Sequence, residues 1–131
     1  MGEHNLDNQN SLAATSVGGR LFRINTGLGW IGNQSQRVAA PTQVTIYPGD
    51  VLIRRARPLH AGFTGCADLL GWMPRNIGGI KIAQFVACED KTESGRLSQE
   101  QLNFLATVQA SGGVSVCARS TNDLINALKG N

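Results

Sequence analysis

A mostly apolar run at residues 82–88 stops abruptly at three consecutive charged residues, Glu89, Asp90 and Lys91. Such a run is typical of a strand buried on both faces. Side chains alternate between the two faces of a strand, so Glu89 and Lys91 are predicted on one face and Asp90 on the other. Burying a carboxylate beside an ammonium costs desolvation free energy, and functional sites are where proteins most often keep such a pair. The alternative is a solvated strand end that runs into a turn.

Length and composition indicate the broad class of protein. A chain of 131 residues is predicted to form one domain, 1–131, with a single core. Hydrophobic residues make up 41% of the chain and charged residues 16%, which favours a globular protein over a disordered one. The net charge of +3 permits a nucleic-acid partner without requiring one. The sequence shows no secretory leader and no apolar stretch of ~20 residues, so we expect a cytoplasmic protein with no membrane partner.

The cysteines indicate a reducing compartment. Cys66, Cys88 and Cys117 are odd in number, far apart and flanked by apolar or small residues, so buried free thiols are expected. A zinc site built from His60, Cys66 and Cys88 is the alternative, although the clustered spacing of structural zinc ligands is missing.

The hydrophobic periodicity predicts a mixed α/β fold in which helices flank a mixed β-sheet. The expected order is α-β-β-β-β-β-α-β-α. The predicted helices are 2–17, the one that Ser98 caps and 121–129, and the predicted strands are 20–25, 42–47, 51–56, 65–71, 82–88 and 114–118. The stretch from Met73 to Gly79 is expected to turn.

Three arginines accompany the predicted hairpin formed by strands 42–47 and 51–56. Arg54, Arg55 and Arg57 lie on or just after its second arm. Charged residues on an edge strand protect it against aggregation. Arginine also presents a planar fork that matches the geometry of phosphate. Both interpretations of the cluster remain open at this point.

An aspartate inside a predicted strand needs a reason, because Asp is disfavoured there. Asp68 lies within the predicted strand 65–71. The link from Asp68 to Glu89 is long enough for a strand, a turn and an antiparallel return strand. Such a return brings the two carboxylates together beside Lys91.

The helix after the charged run carries a capping signal that also has a functional interpretation. Ser98 is predicted to cap the helix, with Gln101 at the reciprocal position of a capping box. Gln101, Phe104 and Leu105 also share one helix face, so Gln101 is on the stripe that faces the core. Capping explains Gln101 without function and a position facing Glu89 explains it with function; the two can hold together.

Four motifs occur in a fixed order along the chain. They are Phe22-Arg23 before a Gly-rich loop, Gly65-x-x-Asp68-Leu69-Leu70-Gly71, Glu89-x-Lys91-Thr92, and Gly95-Arg96-x-Ser98-x-x-Gln101-x-x-Phe104-Leu105 followed by Gly112-Gly113. Together they resemble the VRR-NUC domain, the virus-type replication-repair nuclease branch of the PD-(D/E)XK superfamily. The resemblance covers essentially the whole chain and is closest to stand-alone phage or bacterial versions. It implies a restriction-endonuclease-like core and a metal-dependent DNA endonuclease active in repair, often a homodimer directed at branched DNA.

The resemblance also implies roles for particular residues. Asp68 and Glu89 match the metal-binding acids and Lys91 the catalytic lysine. The remaining matches are Gln101 for the helix glutamine and Glu3 for the acid that family members carry in the first helix. Glu3 would bind a second ion or a metal-bound water; the alternative is a favourable charge at a helix N-terminus. Two positions depart from the family pattern: Ala67 replaces the superfamily's Pro, and Asp90 replaces an aliphatic residue. Asp90 is expected either to be partly solvated or to pair with an arginine.

The implied chemistry needs a hard divalent ion and no organic cofactor. Mg²⁺ or Mn²⁺ prefers oxygen ligands, here Asp68, Glu89 and the backbone carbonyl of Asp90, and it activates water while neutralising phosphoryl charge. Five arginines are expected to grip the DNA backbone, namely Arg23, Arg54, Arg55, Arg57 and Arg96.

Specificity is the least determined part of the prediction. A symmetric dimer places two active sites on two strands, which suits a four-way (Holliday) junction, and Trp30 and the hairpin at 42–56 are the expected contributors. The alternatives are a nuclease of other specificity (flap, nicking or single-strand), a catalytically inactive DNA-binding module of the same fold, and a small α/β structural protein in which the motifs arise by chance.

Overall fold

Helices and strands follow one another in a mixed α/β order, which confirms the predicted fold class. The computed structural model describes residues 2–29 and 36–130. Its elements are α1 (Glu3–Ser16), β1 (Arg20–Arg23), β2 (Gly27–Leu28), β3 (His60–Ala61), β4 (Leu69–Ile77), β5 (Ile80–Asp90), α2 (Gln99–Ala110), β6 (Val114–Ala118) and α3 (Thr121–Lys129).

The main sheet has four strands in the order β1-β4-β5-β6. The β4 and β5 strands pair antiparallel through a turn at Gly78 and Gly79, whose φ angles of 57° and 84° favour glycine. The β6 strand pairs parallel to β5, because α2 intervenes and returns the chain to the same end of the sheet. At Gly71 an added Cβ would lie 1.8 Å from the carbonyl oxygen of Arg20, so only glycine allows β1 to approach β4 this closely.

Helices cover both faces of this sheet. We call the side that packs against α1 and α3 the α1 face and the side that packs against α2 the α2 face. The α1 face holds the larger core, which consists of Ala14, Leu21, Leu69, Val86, Cys88, Val114, Ala118, Leu124 and Leu128. The α2 face holds a smaller core of Ala67, Ala87, Leu105 and Val108.

The predicted hairpin at 42–56 is wrong. The segment contains no strand in the part of the chain that the structure describes, and its apolar side chains are exposed, Val51 by 83%. Its turn does form, because the Tyr47 backbone N–H donates to Asp50 Oδ2 over 2.8 Å. The arms have no core surface to cover, and an isolated two-stranded hairpin is only marginally stable in water. The short pair of β2 and β3 supplies the two other strands before β4 instead.

The strand that follows Asp68 begins later and runs further than predicted. The β4 strand starts at Leu69, and it continues to Ile77 through the stretch expected to turn. It contains Pro74, which lies beyond the β1 pairing that ends at Trp72, so the missing N–H of proline falls on an open edge. Burial on both faces, predicted for 82–88, begins only at Val86.

Candidate active site

The antiparallel pairing of β4 and β5 brings Asp68 to the end of β5. Leu69 pairs with Cys88, so the preceding aspartate lies opposite the residue that follows Cys88. Asp68 Oδ2 accepts a hydrogen bond of 2.9 Å from the backbone N–H of Asp90. The convergence expected from the sequence, two carboxylates and a lysine at one point, is therefore present.

Glu89 is the centre of a compact polar group on the α2 face. Its side chain is 1% exposed, and its Oε1 lies 2.6 Å from Lys91 Nζ. The side-chain amide of Gln101 donates to the same oxygen. The second oxygen, Oε2, is buried without a hydrogen-bond partner among the described residues. One oxygen of Glu89 is thus fixed by two side-chain donors, while the other has no side-chain partner among the described residues, and the nearby backbone of Asp68 lowers the pKa of Glu89 through a hydrogen bond.

Gln101 caps α2 and also faces Glu89, so the two positions considered from the sequence hold together. Its Oε1 accepts from the backbone N–H of Ser98 over 2.9 Å, and its own backbone N–H donates to the Ser98 hydroxyl over 3.2 Å. These two bonds are the capping box of α2. The amide nitrogen remains for Glu89. A single side chain therefore connects the start of α2 to the end of β5.

A glycine lets the loop before Asp68 reach α2. Gly65 has a φ of +85°, and an added Cβ would lie 2.6 Å from the backbone of Glu100. Both the left-handed conformation and the close approach exclude a larger residue here. Gly65 thus allows the loop that carries Asp68 to pack against the first turn of α2, which carries Gln101.

Burial removes solvation from the carboxylates of this site, and their neighbours do not fully offset the loss. Desolvation is the main cause that raises the pKa of Asp68 and of Glu89, and the charge of Asp68 raises the pKa of Glu89 further. Burial alone would lower the pKa of Lys91, but its hydrogen bond to Glu89 and the surrounding acids outweigh burial and raise it. Lys91 therefore stays positively charged. A further positive charge nearby would stabilise the ionised forms of Asp68 and Glu89.

The opposite face of β5 holds a second buried polar group, and it corrects a prediction. Asp90 is completely buried, so the expected partial solvation is wrong, and no arginine forms an ion pair with it among the residues that the structure describes. Its Oδ1 accepts from Asn10 Nδ2 over 2.7 Å and from Cys88 Sγ over 3.2 Å. Burial and a hydrogen bond with Asp7 raise the pKa of Asp90 to about 7. The first helix packs closely enough on this face to supply these partners and to exclude water.

Asp7 is the residue of this region that the sequence interpretation missed. It is buried in α1 and forms an ion pair of 3.4 Å with Arg23 Nε. The signal was its position in α1, four residues after Glu3 and three before Asn10, which places all three on one side of the helix.

The remaining predicted site residues lie further out. Glu3 is exposed at the first position of α1, and its charge raises the pKa of Asp68 and of Lys91. Arg96 is exposed in the loop before α2. Within the described ranges, no hydrogen bond links either side chain to Glu89.

The arginine cluster of the predicted hairpin is likewise separate from Glu89. Arg54, Arg55 and Arg57 are exposed in the irregular segment before β3, where Arg55 has a φ of 52°. Trp30, an expected contributor to a dimer, lies outside the described residues. The structure therefore shows where the three arginines are but connects none of them to the site through a described hydrogen bond or ion pair.

All three cysteines are free thiols as predicted, and two of them have the predicted burial. Cys66 and Cys88 are buried and Cys117 is half-buried, all three as free thiols. His60, the third member of the alternative zinc set, is exposed in β3. Burial is the main cause that raises the pKa of each thiol.

The donor set fits a hard divalent ion. The Oε2 atom of Glu89 and the half-buried carboxylate of Asp68 are oxygen donors near the end of β5, and Mg²⁺ and Mn²⁺ prefer donors of this type. In the part of the chain that the structure describes, no three His, Cys, Asp or Glu side chains form a metal cluster. Two side-chain carboxylates suit an ion that takes its other ligands from backbone, water and substrate phosphate.

Two neighbouring antiparallel strands bring two acids and a lysine to one end of the sheet, and a match to a family model indicates a nuclease of the PD-(D/E)XK type, a hydrolase that acts on DNA. The model of the VRR-NUC domain family matches residues 31–122. The chain therefore belongs to the VRR-NUC family, whose fold type is generally dependent on divalent metal. Comparisons with curated proteins and with solved structures give no significant match. Of the helices described, none is both long and apolar enough to cross a membrane.

Proposed function

We propose that residues 1–131 form a single nuclease domain that hydrolyses phosphodiester bonds in branched DNA with Mg²⁺ or Mn²⁺. The preferred substrate is a four-way junction, cut by a homodimer in the cytoplasm of a bacterial or phage-infected cell. The observation that carries this proposal is the state of Glu89. Its Oε1 is held by Lys91 and Gln101, while its buried Oε2 has no side-chain partner among the described residues.

The two carboxylate oxygens of Glu89 have different surroundings, and this difference supports a catalytic role. An unpaired buried acceptor costs about 1–3 kcal/mol. The Oδ2 atom of Asp90 is also unpaired among the described residues, but the raised pKa of Asp90 and its shared hydrogen bond with Asp7 reduce that cost, whereas the cation of Lys91 beside Glu89 favours the charged form of Glu89. Here the donors of Lys91 and Gln101 converge on one oxygen and orient the other. Asp68, fixed by the backbone N–H of Asp90, completes the pair of ligands, with the Asp90 carbonyl as a third.

The residues around this pair each have a task in the reaction. A divalent ion held there supplies charge neutralisation on the phosphoryl group and an activated water. Lys91, kept charged by Glu89, lies where it stabilises the negative charge that develops on the phosphate and orients the nucleophile. Gln101 holds Glu89 and thereby positions the ligand oxygen. Glu3, exposed nearby, contributes negative charge and is the proposed ligand of a second ion.

Exposed arginines are the proposed contacts to the DNA backbone. Arg23 and Arg96 lie on elements next to the site, and Arg54, Arg55 and Arg57 lie on the segment before β3. Each phosphate that such a side chain neutralises releases counter-ions, so binding should weaken steeply as salt rises. A dimer would present two copies of this set to the two strands of a junction.

The test is cleavage of labelled DNA by the wild-type protein and by Lys91→Ala in Mg²⁺ or Mn²⁺. The substrates are a four-way junction, a flap, a single strand and a linear duplex of the same sequence. Symmetric nicking of the junction that disappears in Lys91→Ala supports the proposal. Metal-dependent cleavage of another substrate keeps the chemistry and overturns the specificity. Binding of the junction without cleavage of any substrate would identify an inactive DNA-binding module.

A nuclease that acts on flaps or single strands is the second candidate function. The observation that favours it is a group of exposed aromatic side chains, Phe22, Trp72 and Phe85, on the same sheet face as Glu89. Unpaired bases stack on such side chains whereas paired bases do not reach them. The substrate panel separates the two specificities directly.

A further inference from the structure

Part of the α2 face is not covered by α2. The helix packs against β5 and β6, which leaves the β1 and β4 side of this face open. Phe22, Trp72 and Phe85 lie there with exposed fractions of 52%, 40% and 45%. We call these three residues the aromatic platform. Large exposed aromatic side chains that adjoin one another usually mark a surface that binds a partner.

The strand register makes the platform continuous. Trp72 pairs directly with Phe85 across β4 and β5. The rings of Phe22 and Trp72 contact each other, with centroids 5.5 Å apart and planes inclined by 43°. Beside Phe85, an open cleft of about 450 Å³ continues along the edge of α2 between Val108 and Gly113. The platform thus presents aromatic rings next to a recess.

The platform lies on the same side of the sheet as the proposed catalytic acids. Side chains two residues apart along a strand share a face, so Trp72 is on the side of Asp68 and Phe85 is on the side of Glu89. Trp72 is four positions after Asp68 along the extended chain, which corresponds to about 13 Å. A nucleic-acid strand that leaves the site along β4 crosses the platform within a few nucleotides.

Charge favours a polyanion as the partner over a second copy of this chain. Arg20 pairs with Trp72 in the β1–β4 register and shares its face. Lys81 adds a cation at the far end of β5 on this face. The whole stretch from residue 69 to residue 88 contains no aspartate or glutamate. In a symmetric contact between two copies of this surface, the cations of both copies would face each other, and residues 69–88 carry no acids to pair with them. A phosphate backbone would pair with the cations.

We propose that unpaired nucleobases adjoining the cut phosphodiester stack on the aromatic platform, with Arg20 beside the backbone. The inference rests on the proposed nuclease function, because that function defines where the DNA is cut. It deepens that function by naming single-stranded segments, at a flap or at the opened centre of a junction, as the part of the substrate that the platform selects. Stacking on aromatic rings is tolerant of base identity, so the platform selects structure and not sequence.

The first measurement uses the tryptophan of the platform as its own reporter. The chain has two tryptophans, so a Trp30→Phe background isolates the emission of Trp72. Titration with oligo(dT) in EDTA, where no cleavage occurs, should quench this emission as bases stack. A blunt duplex should leave it unchanged. Equal quenching by both, or by neither, overturns the proposal.

The second measurement compares affinities for a blunt duplex and for the same duplex with a dT tail, again in EDTA. Trp72→Ala should weaken binding of the tailed duplex by about tenfold, with little effect on the blunt one. Ile80→Ala is the matched control, because Ile80 is 68% exposed on β5 but lies on the other face. Arg20→Ala should lower the slope of log affinity against log salt by about 0.7 for the tail.

The outcomes separate this inference from the proposed function. Unchanged binding of the tailed duplex by a folded Trp72→Ala protein overturns the platform, and so does a change of oligomeric state in that variant, which would assign the surface to a second copy. Cleavage of junction and duplex by the wild-type protein in Mn²⁺ is measured alongside. If no DNA is cut but Trp72 is quenched, the nuclease proposal fails and the platform stands as a single-strand binding surface. If DNA is cut but Trp72 is not quenched, the platform fails alone.

Discussion

Two neighbouring carboxylates at the end of β5 have opposite surroundings. Glu89 and Asp90 are both buried, yet they point to opposite faces of the sheet. On the α2 face, Glu89 contacts the cation of Lys91 and keeps Oε2 without a side-chain partner among the described residues. On the α1 face, Asp90 contacts the neutral groups of Asn10 and Cys88 and shares a hydrogen bond with Asp7. Burial is common to both sites, and the partners differ.

The partners determine what each carboxylate contributes. A cation next to Glu89 favours its charged form in spite of burial, which keeps an oxygen available for the proposed metal ion. The neutral partners of Asp90 and a second acid, Asp7, do not offset its desolvation, so its pKa rises to about 7. We therefore assign chemistry to the α2 face and assign to the α1 face the task of holding the strand end. The predictions below test this division.

Removal of Lys91 or Glu89 from the α2 face should have the largest effect, and this effect should be a lower cleavage rate. Lys91→Ala and Glu89→Gln should each lower the cleavage rate by roughly 10³-fold, since each removes a charge that acts on the transition state or its ion. Junction affinity should change by less than about threefold, because arginines outside the site carry binding. Single-turnover cleavage and electrophoretic mobility shift measure the two quantities.

Lys129→Ala is the matched control for a lost lysine, as Lys129 is exposed at the end of α3. It should cleave at the wild-type rate. A Lys91→Ala protein that retains more than about a tenth of the wild-type rate would contradict the assignment of chemistry to this face.

Loss of the α1-face contact should fall on stability instead. Asn10→Ala leaves the buried Asp90 carboxyl without its 2.7 Å donor, and we expect the free energy of unfolding to drop by about 2–3 kcal/mol. Urea denaturation measures this change. Asn8→Ala, an exposed asparagine of the same helix, is the control and should stay within about 0.5 kcal/mol of wild type.

Exchange of the two partners provides the counter-test. The double variant Asn10→Asp with Asp90→Asn restores an amide beside a carboxyl group. It should be more stable than the sum of the two single effects implies. Strict additivity would show that the contact does not hold the strand end.

The parts of this molecule that follow local rules were predictable from the sequence. The capping signal of Ser98 and Gln101 placed α2, and the alternation of Glu89 and Asp90 placed their side chains on opposite faces. Both depend on neighbours within a few residues. The convergence of Asp68 on Glu89 needed only an antiparallel return of plausible length, which the register supplies.

The parts that depend on distant packing were not predictable in the same way. The hairpin at 42–56 has good local signals, but no surface of the fold receives its apolar side. The burial of Asp90 depends on Asn10, which is 80 residues away in the chain. The stretch from Met73 to Gly79 was expected to turn, and the place of Pro74 in β4 depends on β1 ending first. Each error is a tertiary contact, or its absence, overriding a local preference.

The pKa of Asp90 predicts a pH dependence of stability with a definite sign. Its unfolded pKa is near 3.8 and its folded pKa is about 7, so between these values the folded state binds more protons. The contribution of Asp90 to the free energy of unfolding is therefore largest below about pH 4. This contribution is lost as the pH rises through about 7. For a carboxyl that shares its hydrogen bond with Asp7, we expect a loss of about 2 kcal/mol between pH 5 and pH 8.

Urea denaturation at both pH values, in the presence of a chelator, measures this loss. Asp90→Asn removes the titrating group and should flatten most of the dependence. The raised pKa of Asp68 and of Glu89 acts with the same sign, so a smaller slope should persist in the variant. A stability that rises between pH 5 and pH 8 would contradict the protonated state of Asp90.

The smallest effect separates the two roles of Gln101. Gln101→Glu keeps a capping box, because glutamate serves at the third helical position as well as glutamine does. It also places a carboxylate, instead of an amide donor, against Glu89 Oε1. Cleavage should fall by about tenfold while the free energy of unfolding stays within about 1 kcal/mol of wild type. Gln101→Ala, which loses both roles, should lower cleavage to a similar extent and also lose about 1 kcal/mol of stability. If Gln101→Glu cleaves as well as wild type, the amide only caps α2, and Lys91 alone orients Oε2 of Glu89.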